Sequence, residues 1–296
     1  MSIIKFTKKI VNIIIKRGRV HLTSVNVNDI NMYYEIHGDG FPLVMITGIS
    51  ENIDWWMPDV IKAFSQNFKT VIFDNRGAGR TDKPEVNYSI KMMADDTAGL
   101  MDPLNIERAH VFGLSMGGMI AQELILNYPE KVEKLVLGCS NCGGSKSLLP
   151  SEDIIKLMRS MMKLPPKERL QELMSLFYTE DFIKNNPEFI KSFIQRIIIA
   201  PITADAYQRQ LTAVLGHNSY RRLKKIQAPT LIIHGKKDVL SPVENAEILA
   251  EKILGAKLLL LNNAAHHFDQ PDTDKVISSI LEFLKAPVEK VIDKVV

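Results

Sequence analysis

The stretch "ERAHVFGLSMGGMIAQELILNYP" (residues 107–129) joins a short apolar run directly to a run with helical spacing. Between them lies Gly113–Gly118, "GLSMGG", which contains a G-x-S-x-G pattern. A chain that passes from strand to helix over a single residue forces that residue into a strained backbone conformation and leaves its side chain exposed. Here that residue is Ser115. Gly113 and Gly117 keep side chains from colliding across so sharp a turn. The backbone N–H of Met116, at the start of the helix, points at the carbonyl that the Ser115 hydroxyl would attack. Ser115 is therefore a candidate nucleophile.

The same alternation extends outward in both directions. Short apolar strands are predicted at 41–47, 69–75, 107–115 and 132–140, and again at 228–235 and 256–263. Helical patterns at 54–66, 88–105, 116–129, 242–254 and 272–285 separate or follow them. Upstream, "RVHLTSVNVNDINMYYEIHGDG" alternates apolar and polar residues on both sides of Asn28-Asp29, which reads as a hairpin. Alternating strands and helices predict an α/β fold with a mostly parallel central sheet flanked by helices. Ligand-binding and catalytic loops of such sheets lie at the carboxyl ends of the strands. From 145 to 225 the strand signal disappears, replaced by helical spacing rich in Met, Leu, Ile and Phe. The expected organisation is a core of 20–144 and 226–296, a helical cap of 145–225 folded over the strand ends, and a separate extension of 1–19.

That extension is basic and amphipathic. Lys5, Lys8, Lys9, Lys16, Arg17 and Arg19 are its charges, and it holds no acid. Those cations exceed the whole chain's net charge of +3, so the remainder is acidic overall. A helix here would set Ile3, Ile4, Ile10, Val11, Ile14 and Ile15 against the lysines. Two readings follow: a helix docked on the body or a partner, or peripheral contact of residues 1–20 with an anionic membrane surface. The segment lacks the continuous apolar stretch and small-residue site of a secretory signal. No apolar run of about 18 residues predicts a membrane span. A net charge of +3 over 296 residues does not suggest nucleic acid as a partner. The two cysteines, Cys139 and Cys142, form a C-x-x-C outside the context of a redox helix and are too few for a zinc site. Reduced, structural thiols in a cytoplasmic protein are the expectation, as a monomer or homodimer.

A serine hydroxyl needs a base, and the base needs an acid that orients it. Asp238 follows the strand "APTLIIHG" by three residues, and His266 lies just past the last strand. Both fall at carboxyl ends, where Ser115 also lies. At this point the chain resembles the α/β-hydrolase superfamily, in its branch of esterases, enol-lactonases and cofactor-free haloperoxidase-like enzymes. The resemblance spans residues 20–285 and rests on "DNRGAGRTDKP" (74–84), "GLSMGGMIAQELILNYPEKVEKLVL" and "IIHGKKDVLSPVENAEILAEKI". The order Ser115, Asp238, His266 is the one that superfamily uses. Its last strand commonly ends in two small residues before the catalytic histidine, a role Ala264-Ala265 fill here. The neighbouring His267 is then expected at the rim or in the loop.

Two departures stand out. The first central strand of the family is commonly followed by His-Gly-x, but this chain has Thr47-Gly48-Ile49-Ser50. The oxyanion donor carried over is a backbone amide, that of Ile49, so the missing histidine need not abolish the hole, and Thr47 is a candidate to brace the loop. The chain also reaches Pro271 about two residues sooner after His266 than is usual in the family.

The resemblance implies a serine hydrolase that cleaves an ester through an acyl-enzyme, with no metal or organic cofactor. Trp55, Trp56, Leu114 and Val239 are the candidate substrate contacts. Met158, Met161, Met162, Met174, Phe177, Phe182, Phe189 and Phe193 either line an acyl pocket or pack cap helices together. The expected substrate is a small to medium apolar ester. Lactone, thioester and peracid chemistry on the same triad remain alternatives, as do a membrane-surface lipase and a ligand-binding receptor of slow turnover.

Overall fold

The chain turns at Asn28, which adopts φ 53° between β1 (Thr23–Val27) and β2 (Ile30–His37). Asparagine visits this left-handed backbone more readily than most residues, and its side chain is anchored here across the fold, where Nδ2 donates to Asp96 Oδ1 at 2.9 Å. The structure, a computed structural model, describes residues 23–161, 163–267 and 273–287. The basic extension and the approach to Pro271 lie outside the described residues.

The hairpin begins an eight-stranded sheet of order β1-β2-β4-β3-β5-β6-β7-β8. Its other strands are β3 (Pro42–Ile46), β4 (Lys69–Phe73), β5 (Ala109–Leu114), β6 (Val132–Gly138), β7 (Thr230–Gly235) and β8 (Lys257–Leu261). β2 runs antiparallel to β4, and β3 to β8 are parallel. The expected mostly parallel sheet is present. Strands β5 and β7 are buried along their whole length, as strands covered on both faces must be.

Two layers of helix cover the sheet. On one face, α1 (Pro58–Ser65) and the C-terminal α10 (Thr273–Lys285) set Val60, Phe64, Val276 and Ile280 against Leu43, Met45, Phe112 and Val136. On the other, α2 (Ile90–Met101), α3 (Met116–Asn127) and α9 (Glu244–Lys252) bury Met93, Ile120, Leu124 and Leu249 against Val44, Val71, Val111 and Leu135. Lys134, buried on β6, donates from Nζ to the carbonyls of Phe283, Leu284 and Ala286. A cation there satisfies the unpaired carbonyls at the end of α10 and favours its dipole.

α1 starts later than the pattern over 54–66 predicts. Pro58 occupies its first turn and cannot continue a helix from upstream. Residues Ile53–Trp55 instead form one 3-10 turn, capped where Asn52 Oδ1 accepts the Asp54 N–H at 2.8 Å. Between β6 and β7 the chain is helical, in five pieces: α4 (Glu152–Met161), α5 (Pro166–Phe177), α6 (Glu180–Asn185), α7 (Pro187–Ile197) and α8 (Ala204–Leu215). Prolines at the first turns of α5 and α7, and capping by Thr179 and Thr203, divide what the spacing alone presents as two long runs. Met161, Met174, Phe177, Phe193 and Ile197 of these helices pack around Trp55 of the core. Among the described residues no helix is long and apolar enough to cross a membrane.

Buried histidines tie the fold to pH, and His110 is one of them alongside His217. His110 on β5 lies between the rings of Phe41, at 4.7 Å, and Phe68, at 5.6 Å. Burial, aided by the Lys134 charge, pushes its imidazole down from 6.5 to about 4. Between those values the unfolded chain binds a proton that the folded chain refuses, so stability falls as pH drops through this window. Replacing His110 with Phe is expected to narrow the gap between urea midpoints at pH 7 and pH 4.5. An unchanged gap would place the acid sensitivity elsewhere.

Candidate active site

Ser115 ends β5 at φ 54°, ψ −117°, a conformation costly for any residue with a Cβ. Several contacts hold it there. Its N–H donates to Gly138 O at 2.8 Å, and its carbonyl accepts from Gly118 N and Ser140 Oγ, both at 2.9 Å. The turn is tight enough that a Cβ on Gly113 would lie 2.2 Å from Gly117 O, and one on Gly117 would lie 2.2 Å from Ile46 O. The Met116 amide opens α3 and, among the described residues, donates to no acceptor.

Strand order brings two of the other candidates together. Asp238 and His266 follow the neighbouring strands β7 and β8, and His266 Nδ1 lies 2.7 Å from Asp238 Oδ2. The carboxylate can only accept, so Nδ1 carries the proton and Nε2 is left as the ring's lone-pair nitrogen. Asp238 Oδ1 accepts the N–H groups of Leu240 and Ser241, each at 2.9 Å. Burial alone would raise its pKa, but the His266 charge and the hydrogen bonds of His234 and His266 outweigh it and hold the carboxyl below the usual range.

His234 was not among the sequence candidates. From β7 its Nε2 reaches Ser241 O at 2.8 Å and Asp238 Oδ2 at 3.2 Å, so Oδ2 faces two imidazoles. A histidine within an apolar strand, four residues before the aspartate, was the available signal. Among the described residues, Cys139, Asp238 and His266 form the one group of potential metal donors, with ligand atoms within 4.8 Å of one another. Asp238 and His266 of that group are bonded to each other through Oδ2 and Nδ1. Cys139 and Cys142 are both buried thiols.

The loop after β3 presents Ile49, whose amide also donates to no acceptor among the described residues. Thr47 is braced by Asn75, whose Nδ2 donates to the Thr47 carbonyl at 3.1 Å and hydroxyl at 3.2 Å. Ser50 takes φ 65°, and its N–H donates to Gln210 Oε1 of α8 at 2.8 Å. Next in sequence, Glu51 is buried; its Oε2 accepts the Gly48 N–H at 2.7 Å and its Oε1 lies 3.1 Å from His267 Nε2.

His267 thus lies in the loop after β8, as one of the two expectations had it, but not at the rim. It is 2% exposed, donates its backbone N–H to Phe177 O at 2.9 Å, and stacks on the Phe177 ring at 4.7 Å. Its partner Glu51 lies 216 residues away in the chain, which is why the pairing was invisible in sequence.

The substrate candidates separate. Trp55 packs with the cap against Phe177 and Phe193, while Trp56 packs into the core against Phe112. Leu114 is buried and lines a cavity of about 30 Å³ with Trp55, Trp56, Glu51 and His267. A larger cavity of about 150 Å³ lies between the 50–55 loop and the cap, walled by Trp55, Met158, Met161, Leu170, Leu173 and Ile197, with Arg169 and Tyr207 among its polar members. Val239 is 40% exposed and lines neither cavity. Met174, Phe182, Phe189 and Phe193 pack the cap helices together, and Met162 lies outside the described residues.

Comparison with known proteins places this geometry in context. The sequence profile described as the alpha/beta hydrolase fold matches residues 42–270. A poly(3-hydroxyalkanoate) depolymerase of Ectopseudomonas oleovorans is 29% identical over 245 residues, covering 82% of this chain and 84% of its own. A meta-cleavage product hydrolase of Pseudomonas fluorescens superposes with TM-score 0.75 at 26% identity, over 88% of this chain and 97% of its own. The enol-lactonase of Burkholderia xenovorans shares the fold, with TM-score 0.79 at 22% identity, over 89% of this chain and 100% of its own.

The contact between Gly117 and β3 makes the turn testable apart from any activity. Gly117→Ala sets a methyl against a backbone oxygen that cannot rotate away, and overpacking of this kind costs about 1–3 kcal/mol. A clear fall in the thermal midpoint by circular dichroism is expected. An unchanged midpoint would mean that the turn is looser than described.

Proposed function

The chain belongs to the alpha/beta hydrolase family and is a hydrolase; from that premise we propose that it cleaves carboxylic esters, with Ser115 as nucleophile, His266 as base and Asp238 as its orienting acid. The observation that carries this reading is the placement of Ser115, strained at φ 54° just after β5, at the same carboxyl end of the parallel strands as the Asp238–His266 pair bonded at 2.7 Å.

Ser115 Oγ adds to the ester carbonyl carbon while His266 Nε2 takes the hydroxyl proton. The carbonyl oxygen becomes an oxyanion, met by the Ile49 and Met116 amides. Such donors act because they are already oriented when charge develops, and each is worth about 10²–10³ in turnover. The tetrahedral adduct collapses, the bond to the alcohol oxygen breaks, and His266 returns its proton to that oxygen. Water then attacks the acyl-enzyme, with its proton passing to Nε2, and the acid leaves as Ser115 is re-formed. Asp238 carries its charge throughout and stabilises the imidazolium formed in both halves.

An ester is the favoured substrate for two reasons. The larger cavity beside the Ile49 loop has a mainly apolar wall suited to an acyl or alcohol chain of small to medium size. The relative from Ectopseudomonas oleovorans is described as a poly(3-hydroxyalkanoate) depolymerase, and it matches over most of both chains.

The test is a series of p-nitrophenyl esters of increasing acyl length. Turnover of the short and medium esters is expected, falling at least about 10³-fold in Ser115→Ala and in His266→Ala. No turnover across the series by the unmodified protein, or full activity in folded Ser115→Ala, would contradict the proposal.

A further inference from the structure

We propose that Glu51 and His267 form a buried positioning brace that fixes the Ile49 amide relative to the base loop; this rests on the serine-hydrolase reading above. Neither residue belongs to the reacting set, and both are nearly inaccessible, each at 2% exposure.

Glu51 holds Gly48 from both sides. Its carboxylate accepts the Gly48 N–H at 2.7 Å, and its own N–H donates to Gly48 O at 3.4 Å. The carboxylate lies so flat on Gly48 that a Cβ there would be 3.0 Å from its atoms. The Glu51 carbonyl also accepts from Thr47 Oγ1 at 3.3 Å. With both polar groups of Gly48 committed, the next peptide is held in one orientation, and its N–H is that of Ile49. A donor counts as an oxyanion donor only when it is oriented before the charge appears. Glu51 supplies that orientation.

A carboxylate at this depth needs a second donor, because a buried charge left unpaired is costly. His267 provides it, with Nε2 at 3.1 Å from Oε1. His267 adjoins His266 in the chain. It is fixed in turn by Phe177, which accepts its backbone N–H at 2.9 Å and stacks on its ring at 4.7 Å. The same Phe177 ring stacks on His266 at 5.6 Å. A continuous bonded path therefore runs from the Ile49 amide through Gly48, Glu51 and His267 to His266 and the cap.

The test compares Glu51→Ala, Glu51→Asp, Glu51→Gln and Ser115→Ala with the unmodified protein. Three quantities are read: kcat and KM on p-nitrophenyl butyrate, the affinity for phenylboronic acid by calorimetry, and the thermal midpoint. Phenylboronic acid adds to a serine hydroxyl as a tetrahedral anion. Glu51→Ala is expected to lower kcat by about 10²-fold, the loss of roughly one oxyanion donor, with KM changed less than about threefold and boronate affinity falling in parallel. Glu51→Gln retains an oxygen for Gly48, and its N–H can meet His267 Nε2 once that ring carries its proton on Nδ1, so it is expected to keep kcat within about tenfold of the unmodified protein. Glu51→Asp keeps the charge but cannot span both partners, so it is expected to lose more than Glu51→Gln; it serves also if the alanine variant does not fold. A lowered thermal midpoint with unchanged kcat and boronate affinity in both Glu51→Ala and Glu51→Asp would overturn the brace. Retained activity in Ser115→Ala would instead overturn the reading on which it rests.

Discussion

The reversal of the chain at Ser115 is the constraint on which the rest of this structure depends. A residue at φ 54°, ψ −117° does not persist on its own preferences. Here neighbours on two adjacent strands supply the restraint. Gly138 and Ser140, from β6 and the residues after it, take up the backbone polar groups of Ser115. Ile46, at the end of β3, lies too close to residue 117 for any side chain. The parallel sheet is therefore a frame that aims one hydroxyl, and the helix begun by that turn aims the adjoining amide. The proposed nucleophile and one proposed oxyanion donor come from a single backbone event.

Electrostatics completes the site. Asp238 is buried, yet three donors converge on it, two amides on one oxygen and the His266 imidazole on the other, and the His234 ring lies 3.2 Å from that same oxygen. That keeps it ionised and holds the His266 proton on Nδ1, which leaves Nε2 as the lone-pair nitrogen. On the opposite side, Glu51 is also buried and also paired with a histidine. The two carboxylate–imidazole pairs share adjacent histidines, His266 and His267, and the Phe177 ring lies against both. In the proposed mechanism the first pair moves protons while the second keeps a backbone donor still.

Much of this was legible in the amino-acid sequence because it is written in local pattern. Strand and helix periods are local, and so is G-x-S-x-G at a strand–helix boundary. Boundaries shifted where single residues intervened, as where Pro58 delayed α1 and Pro166 and Pro187 divided the cap. The placement of Asp238 and His266 after neighbouring strands could be anticipated from strand order. What escaped were contacts made across the sheet by residues with no local signature. His234 reads as one more residue of an apolar strand until the chain folds back from Asp238 to Ser241. His267 reads as the spare member of a pair until Glu51 arrives from the other end of the chain. Val239 follows the acid in sequence, but it is exposed and lines neither cavity.

The most direct test of the central claim is covalent. A fluorophosphonate reacts with a serine hydroxyl only where a base and an oxyanion hole activate it, and it displaces fluoride to leave a stable phosphonyl ester. Treating the native protein with such a reagent and mapping the adduct by peptide mass spectrometry should find a single modification, on Ser115. It should be absent from denatured protein and strongly slowed in His266→Ala. An adduct on another residue, or none on folded protein, would contradict the account.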